Sequence, residues 1–294
     1  MNNTKKKSPI SWVPTAYFAM GLPFVVLNMV TVLMFKGLEV DDKLITFWTS
    51  LILLPWTLKP LWSPFLELFR TKKFFVIVTQ LITGITFGLV AFALNLSHFF
   101  SISIALLAIV AFSGATHDIA CDGVYMSELS NEDQARFIGW QGAFYNIAKI
   151  LATGGLVYLA GYFIELNADA GLLTANKRAW MIILLILSVT MILLGIYHLF
   201  ALPSTQSASS RKTLRSNKEV MKELGQVLMD FFRKTHITYY ICFIILYRFA
   251  EGFVMKIVPL FLKADREMGG LGLNEKEIGL YYPEYHETRG TLKC

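Results

Sequence analysis

Apolar residues in this chain come in long, charge-free runs and do not alternate with polar ones. Residues 11–35, 74–100 and 179–210 each contain such a run. Four more carry a polar guest: 44–66 around Lys59, 99–116 just before His117, 137–164 around Lys149, and 236–262 around Arg248, Glu251 and Lys256. A helix needs roughly 20 residues to cross a hydrocarbon core about 30 Å thick, so the pattern predicts about seven transmembrane helices. A membrane barrel would need strands of about ten alternating residues, which continuous runs do not supply. The expected fold class is therefore an all-α integral membrane protein, a helical bundle embedded in the lipid bilayer.

Composition agrees. The chain is 55% hydrophobic, 14% aromatic and 16% charged, with mean hydropathy +0.52, outside the range of soluble domains. The first run is longer than a signal peptide's apolar core of about 7–15 residues and lacks a small-residue cleavage site, so it reads as an anchor. Cys121, Cys242 and Cys294 form no CxxC pair and their odd number denies a complete disulfide framework. The net charge is +6. With the N-terminus in the cytoplasm, Lys5–Lys7, Arg70, Lys72, Lys73, Arg136 and the basic stretch 211–234 fall on the inner side, and the outer loops keep only Lys36, Lys43, Lys177 and Arg178. The positive-inside bias favours that orientation. The basic residues sit at span ends and no nucleic-acid-binding signature is present, so no nucleic-acid partner is expected.

The stretch 203–215 is polar and Ser-rich and leads into the amphipathic EVMKELGQVLMDFF. It divides the chain into a six-span half (1–203), a cytoplasmic linker (204–235) and the start of a second half (236–294), the layout of a duplicated transporter. Two matches support duplication. Phe18-Ala19-Met20-Gly21 corresponds to Phe249-Ala250-Glu251-Gly252, and GLEVDDKLI from Gly37 aligns without gaps with GLGLNEKEI from Gly270. After Ile45 the first copy enters its second span. After Ile278 the second copy begins alike, with GLYY, then turns polar in PEYHETRGTLKC. Glu284, His286, Glu287 and Arg289 are too costly for lipid, so the expectation is an eighth span cut short. A complete seven-helix protein with a polar tail is the alternative.

Charges inside spans are default candidates for function. On the fifth span Gln141, Tyr145, Lys149 and Thr153 recur every four residues, with Asn146 beside them, a stripe suited to a water-filled path or to helix gluing. Arg248 and Glu251, three residues apart on the seventh span, suit a substrate or coupling site, or a structural ion pair. Lys256 lies on another face and reads as snorkelling. Asp118 and Asp122 lie one turn apart at the inner end of the fourth span next to His117, open either to proton relay or to plain solvation. Lys59, between Pro55 and Pro60, marks a gating bend or snorkels to the interface. Small residues at Gly84, Gly88, Gly114, Gly154 and Gly155 read as close helix contacts. No HExxH, GxSxG, Walker or GxGxxG pattern occurs, so no catalytic residue, metal ligand or cofactor is assigned.

AYFAMGLPF in the first span, LPWTLKPLWSPFLELFRTKK across the second, ATHDIACDGVYMSEL after the fourth and GAFYNIAKI in the fifth resemble the AmpG-type muropeptide permeases of the major facilitator superfamily, a group also similar to acetyl-CoA transporters. The resemblance covers residues 12–282. It implies a carrier of two six-helix halves in the inner membrane, importing a glycopeptide-like small molecule, an anhydro-muropeptide, with protons. Lys59, Pro64, Asp118, Asp122 and Glu128 match the family's motif positions. Asn146 stands where relatives tend to carry a basic residue, and Glu67 where they carry Asp. With only seven spans the chain reads as an incomplete carrier. The alternatives are a non-transporting remnant, a subunit that pairs with a complementary chain, and a carrier of acetyl-CoA or another solute.

Overall fold

A computed structural model describes residues 7–69, 71–203, 226, 229 and 233–281, except the side chains of 64–65, 67–69, 241, 244–245 and 247–253. Among the described residues there is no strand. The helices are α1 (Pro9–Gly37), α2 (Asp42–Leu51, resuming as Leu54–Phe69), α3 (Lys72–Ala93), α4 (Phe99–Glu128), α5 (Asn131–Leu166), α6 (Leu172–Ala201) and α7 (Ile237–Lys263). A last helix, α8, is described over 275–281. Six helices, α1 to α6, are long and apolar enough to cross a membrane. They are the six spans expected of the first half, and α7, the seventh, is a 27-residue helix.

The helix ends follow local chemistry. Asp41 caps α2 by accepting from the backbone N–H groups of Lys43 at 2.9 Å and Leu44 at 3.3 Å, and Thr71 and Ser130 cap α3 and α5 in the same way. The break in α2 falls at Ile52 and Leu53, just ahead of Pro55, whose ring removes a helical donor and disfavours helix at the residue before it. Two α-helical spans widen to π turns: α1 at Val26–Val30, shortly after the internal Pro23, and α5 at Leu151–Leu156. Such turns free backbone carbonyls and shift the phase of everything that follows.

Three boundaries differ from the apolar runs. Helix α3 stops at Ala93, and α6 starts at Leu172, ahead of its apolar run. Helix α4 continues past Thr116 to Glu128, because Ala120, Cys121, Val124 and Tyr125 keep burying one face beyond the polar guests. Asp118 and Asp122 therefore lie well inside the helix and not at its end.

Helix α1 is the axis of the bundle. Of its apolar window 89% is buried inside the protein, against 22% for α2, which turns most of its surface to lipid. Helix α1 packs on α5 and α4, while α3 lies between α4 and α6. Glycines set the closest approaches. A Cβ on Gly84 would meet Ser188 O at 2.9 Å and Ile192 Cγ1 at 2.7 Å, fixing α3 against α6. At Gly21 it would meet Ala148 Cβ and Tyr145 O, both at 2.9 Å, fixing α1 against α5. Gly114 makes room for the Trp56 ring, at 2.9 Å from Cζ2.

The internal repeat is written in backbone geometry as well as in sequence. In the aligned stretches Glu39 (φ 61°) and Gly272 (φ 64°) hold equivalent places and both are left-handed. The next equivalent pair, Asp41 and Asn274, are both N-caps. Asn274 Oδ1 accepts from Glu277 N at 2.9 Å, and Glu277 Oε2 from Asn274 N at 2.9 Å, a reciprocal capping box. Asp42 and Glu275 follow, and each accepts from a lysine in the last turn of the preceding long helix, Lys36 and Lys263 respectively. Ile45 and Ile278 are both fully buried. The second copy differs in its longer approach, which carries the 3₁₀ turn Arg266–Met268. Most of the linker and the polar stretch 282–294, where the eighth span was expected to fail, lie outside the described residues.

Replacing Gly84 by Ala forces α3 and α6 apart against the backbone oxygen of Ser188 and should cost about 1–3 kcal/mol. Gly88→Ala, whose Cβ would meet only Ser188 Oγ at 3.1 Å, should cost much less. Thermal unfolding of the two variants in detergent should order them accordingly.

Candidate functional site

Three helices converge on α4 at the two carboxylates. Asp118 Oδ2 accepts from Lys59 Nζ at 2.7 Å and from Trp56 Nε1 at 2.8 Å, both on α2. One turn further along α4, Asp122 Oδ1 accepts from the Tyr17 hydroxyl of α1 at 2.8 Å, and Tyr17 in turn accepts from Gln141 Nε2 of α5 at 2.8 Å. The result is one polar column, Lys59–Asp118 above Asp122–Tyr17–Gln141, set in an otherwise apolar bundle. A buried carboxylate such as Asp118 needs compensating donors, and Lys59 and Trp56 supply them; Asp122 is exposed. Asp118 Oδ1 is also buried but takes no hydrogen bond from the described residues.

Lys59 does not snorkel. The α2 break and Trp56 packing on Gly114 turn it toward α4, where the ion pair forms with side-chain exposures of 28% for Lys59 and 11% for Asp118. The α5 stripe holds only in part. Gln141, Tyr145 and Lys149 are half-buried along one face, Asn146 is exposed, and the Lys149 ammonium has no hydrogen bond or ion pair among the described residues. Thr153 leaves the stripe. It is buried and donates to Lys149 O at 2.9 Å, because the π turn that begins at Leu151 breaks the four-residue register. The side chains of Arg248 and Glu251 lie outside the described residues.

His117 turns away from the carboxylates beside it, since neighbours on a helix diverge by about 100°. It belongs to a second, fully buried chain. Thr15 on α1 lies 2.9 Å from His198 Nε2 on α6, His198 Nδ1 donates to Gln80 Oε1 on α3 at 2.8 Å, and Gln80 Nε2 donates to His117 Nε2 at 3.0 Å. This chain joins α1, α6, α3 and α4, and His117 Nδ1 is buried without a hydrogen-bond partner among the described residues. Above it Thr83 donates to Ser113 at 3.0 Å and Ser113 to Thr79 O at 2.7 Å. These contacts set the α3–α4–α6 layer; they are distinct from the column that faces α1, α2 and α5.

Tyr17 and Trp56 are the members of the column that pattern reading did not single out. Each sits in an apolar run and counts as apolar by type, yet each spends its polar tip on a carboxylate. Their only signal was their place in the quoted motifs AYFAMG and LPWTLK. Lys256 likewise does not snorkel: it is 4% exposed and donates to Asn28 O at 3.1 Å and Leu27 O at 3.4 Å, in the π turn of α1.

A model of the family described as Major Facilitator Superfamily matches residues 15–282. No curated protein and no solved structure gives a match.

Removing one partner of a buried ion pair leaves an uncompensated charge at a cost of about 3–5 kcal/mol, whereas an apolar pair of similar volume is close to neutral. Lys59→Met alone should therefore unfold at a markedly lower temperature than the wild type, and the double variant Lys59→Met with Asp118→Leu should recover most of the loss. Light-scattering and fluorescence melts of the purified variants would establish the order.

Proposed function

We infer the function from one premise: the chain belongs to the Major Facilitator Superfamily, a family of multi-pass membrane transporters. We propose that it is built for secondary-active uptake of an anhydro-muropeptide or similar glycopeptide-like solute, driven by protons, in the inner membrane with its N-terminus in the cytoplasm. The observation that carries this reading is the polar column on α4. It gathers Lys59, Asp118, Asp122, Tyr17 and Gln141 from four helices into a part of the bundle where charge is expensive.

In this reading Lys59 and Asp118 are the gating and proton-coupling pair. The second oxygen of Asp118, buried and without a partner among the described residues, is where a proton would enter, and its arrival would release Lys59. Asp122 passes that change to α1 and α5 through Tyr17 and Gln141. Gln141, Tyr145, Asn146 and Lys149 line the path on α5, and the ammonium of Lys149, without a partner among the described residues, suits a carboxylate of the solute. Arg248 and Glu251 would face them from α7. An acetyl-CoA-type solute, also anionic, would use the same lysine.

The test is uptake of labelled anhydro-muropeptide into membrane vesicles with acid outside, by this chain alone and when co-expressed with a chain carrying further second-half helices. Uptake should rise with the proton gradient and collapse with a protonophore. Lys149→Ala and Asp122→Asn should each lower it about tenfold, the equivalent of one lost charge-assisted contact. Uptake indifferent to both substitutions would remove the α5 path, and uptake indifferent to the gradient would remove proton coupling.

A further inference from the structure

Lys256 is a charged side chain, almost wholly buried, with no carboxylate partner among the described residues. Moving an ammonium out of water costs several kcal/mol even after relaxation. A membrane helix that carries one needs acceptors of fixed position, and those that meet Lys256 among the described residues are backbone oxygens of another helix. Helix α1 widens to a π turn at Val26–Val30, and the carbonyls around it are met from outside the helical ladder. Asn28 Nδ2 donates to Phe24 O at 2.9 Å, Thr31 Oγ1 donates to Leu27 O at 2.9 Å, and Lys256 reaches Leu27 O and Asn28 O. Two of these donors belong to α1 itself. The third, the only charged one of the three, comes from α7.

We propose that the π turn of α1 is an ammonium socket, filled by Lys256 of the second half, and that this contact holds the two halves closed at the C-terminal end of α1. The distribution of the other contacts agrees. Helix α7 packs on the last turns of α1 and the first turns of α2. At the same end Lys263 pairs with Glu275 beside Gly37 and Asn176, and Lys276 pairs with Glu165 of α5. A Cβ on Gly279 would lie 2.5 Å from Tyr158 N, so α8 is seated directly on α5.

An apolar side chain in place of Lys256 would bind α7 to α1 wherever the two surfaces touch. A desolvated ammonium holds only while both carbonyls stay in position. Once the helices part, water competes for it and the contact stops opposing separation. The charge thus makes closure a two-position choice and not a graded one, which is what a carrier opening alternately to its two sides needs. The socket rests on the transporter reading only for its use in a cycle; the closure itself is read without any substrate.

The experiment uses the full chain in lipid nanodiscs, with Cys121→Ala, Cys242→Ser and Cys294→Ser. Spin labels are placed at Glu39 and Glu267, both exposed, one on each half at the end in question. Wild type should give one short distance between labels. Lys256→Ala should add a longer population, methylammonium should restore the short one, and tetramethylammonium, of the same charge but without N–H donors, should not. An unchanged distribution in Lys256→Ala, or equal rescue by the two cations, overturns the socket. Should Lys256→Ala fail to fold, the wild-type chain still decides: on brief acylation Lys43, which is exposed, should react and Lys256 should be spared. Equal reaction of the two lysines overturns the proposal. A latch that responds as expected in a chain that moves no muropeptide would leave the socket standing and remove the uptake reading alone.

Discussion

Lipid offers no hydrogen bonds, so any polar group carried into the bilayer must find its partner inside the protein, and this constraint accounts for most of what holds the bundle in register. The three polar systems described here answer it in different ways. The Thr15–His198–Gln80–His117 chain satisfies neutral groups with neutral groups and ties four helices together. The α4 column sets a carboxylate against a lysine and a second against a phenol. Among the described residues Lys256 is met by backbone carbonyls alone. Stability, placement of charge and capacity for change become progressively more closely linked from the first to the third. A neutral chain offers water no charge to claim; an ion pair or a seated ammonium has an alternative partner in water.

Helix α1 carries the cost of these arrangements. It is the most buried of the six candidate spans, it contains Pro14 and Pro23, and it departs from α geometry just where α7 touches it. A continuous α-helix there would keep its carbonyls for itself and present α7 with an apolar surface only. The π turn trades a regular ladder for acceptors that another helix can use, and Gly21 lets α5 come close enough to shield the opposite side. Helix α5 also widens to a π turn, at Leu151–Leu156, which lies against that of α1.

The repeat illustrates what sequence similarity means physically. GLEVDDKLI and GLGLNEKEI are identical at only four positions, but the two stretches share a left-handed residue, an N-cap, an acid that meets a lysine and a buried isoleucine at equivalent places. Each fixes one local event, namely a turn, a helix start, a tether and a packing contact, and together they launch a helix in a set direction. Glycine suits the left-handed position at no cost, and Glu39 occupies it in the first copy. A short weak match can therefore specify the same corner twice.

Local chemistry in the sequence was enough to determine the helical class, the six N-terminal spans and the close contacts at Gly84 and Gly114, because each follows from residues adjacent in the chain and from the demand that lipid makes on every backbone group. It also marked Lys59, Asp118, Asp122, Gln141 and Lys149 as charges or dipoles out of place. Which of them meet was decided only by the tertiary structure. A helical repeat gives the direction of a side chain but not the identity of the neighbour across the interface, so Tyr17 and Trp56 stayed hidden among apolar residues and His117 seemed to belong with the carboxylates beside it. Thr153 left its stripe and Lys256 found its acceptors for a related reason: a π turn is a response to packing, and it rotates or exposes what a regular helix would have placed elsewhere.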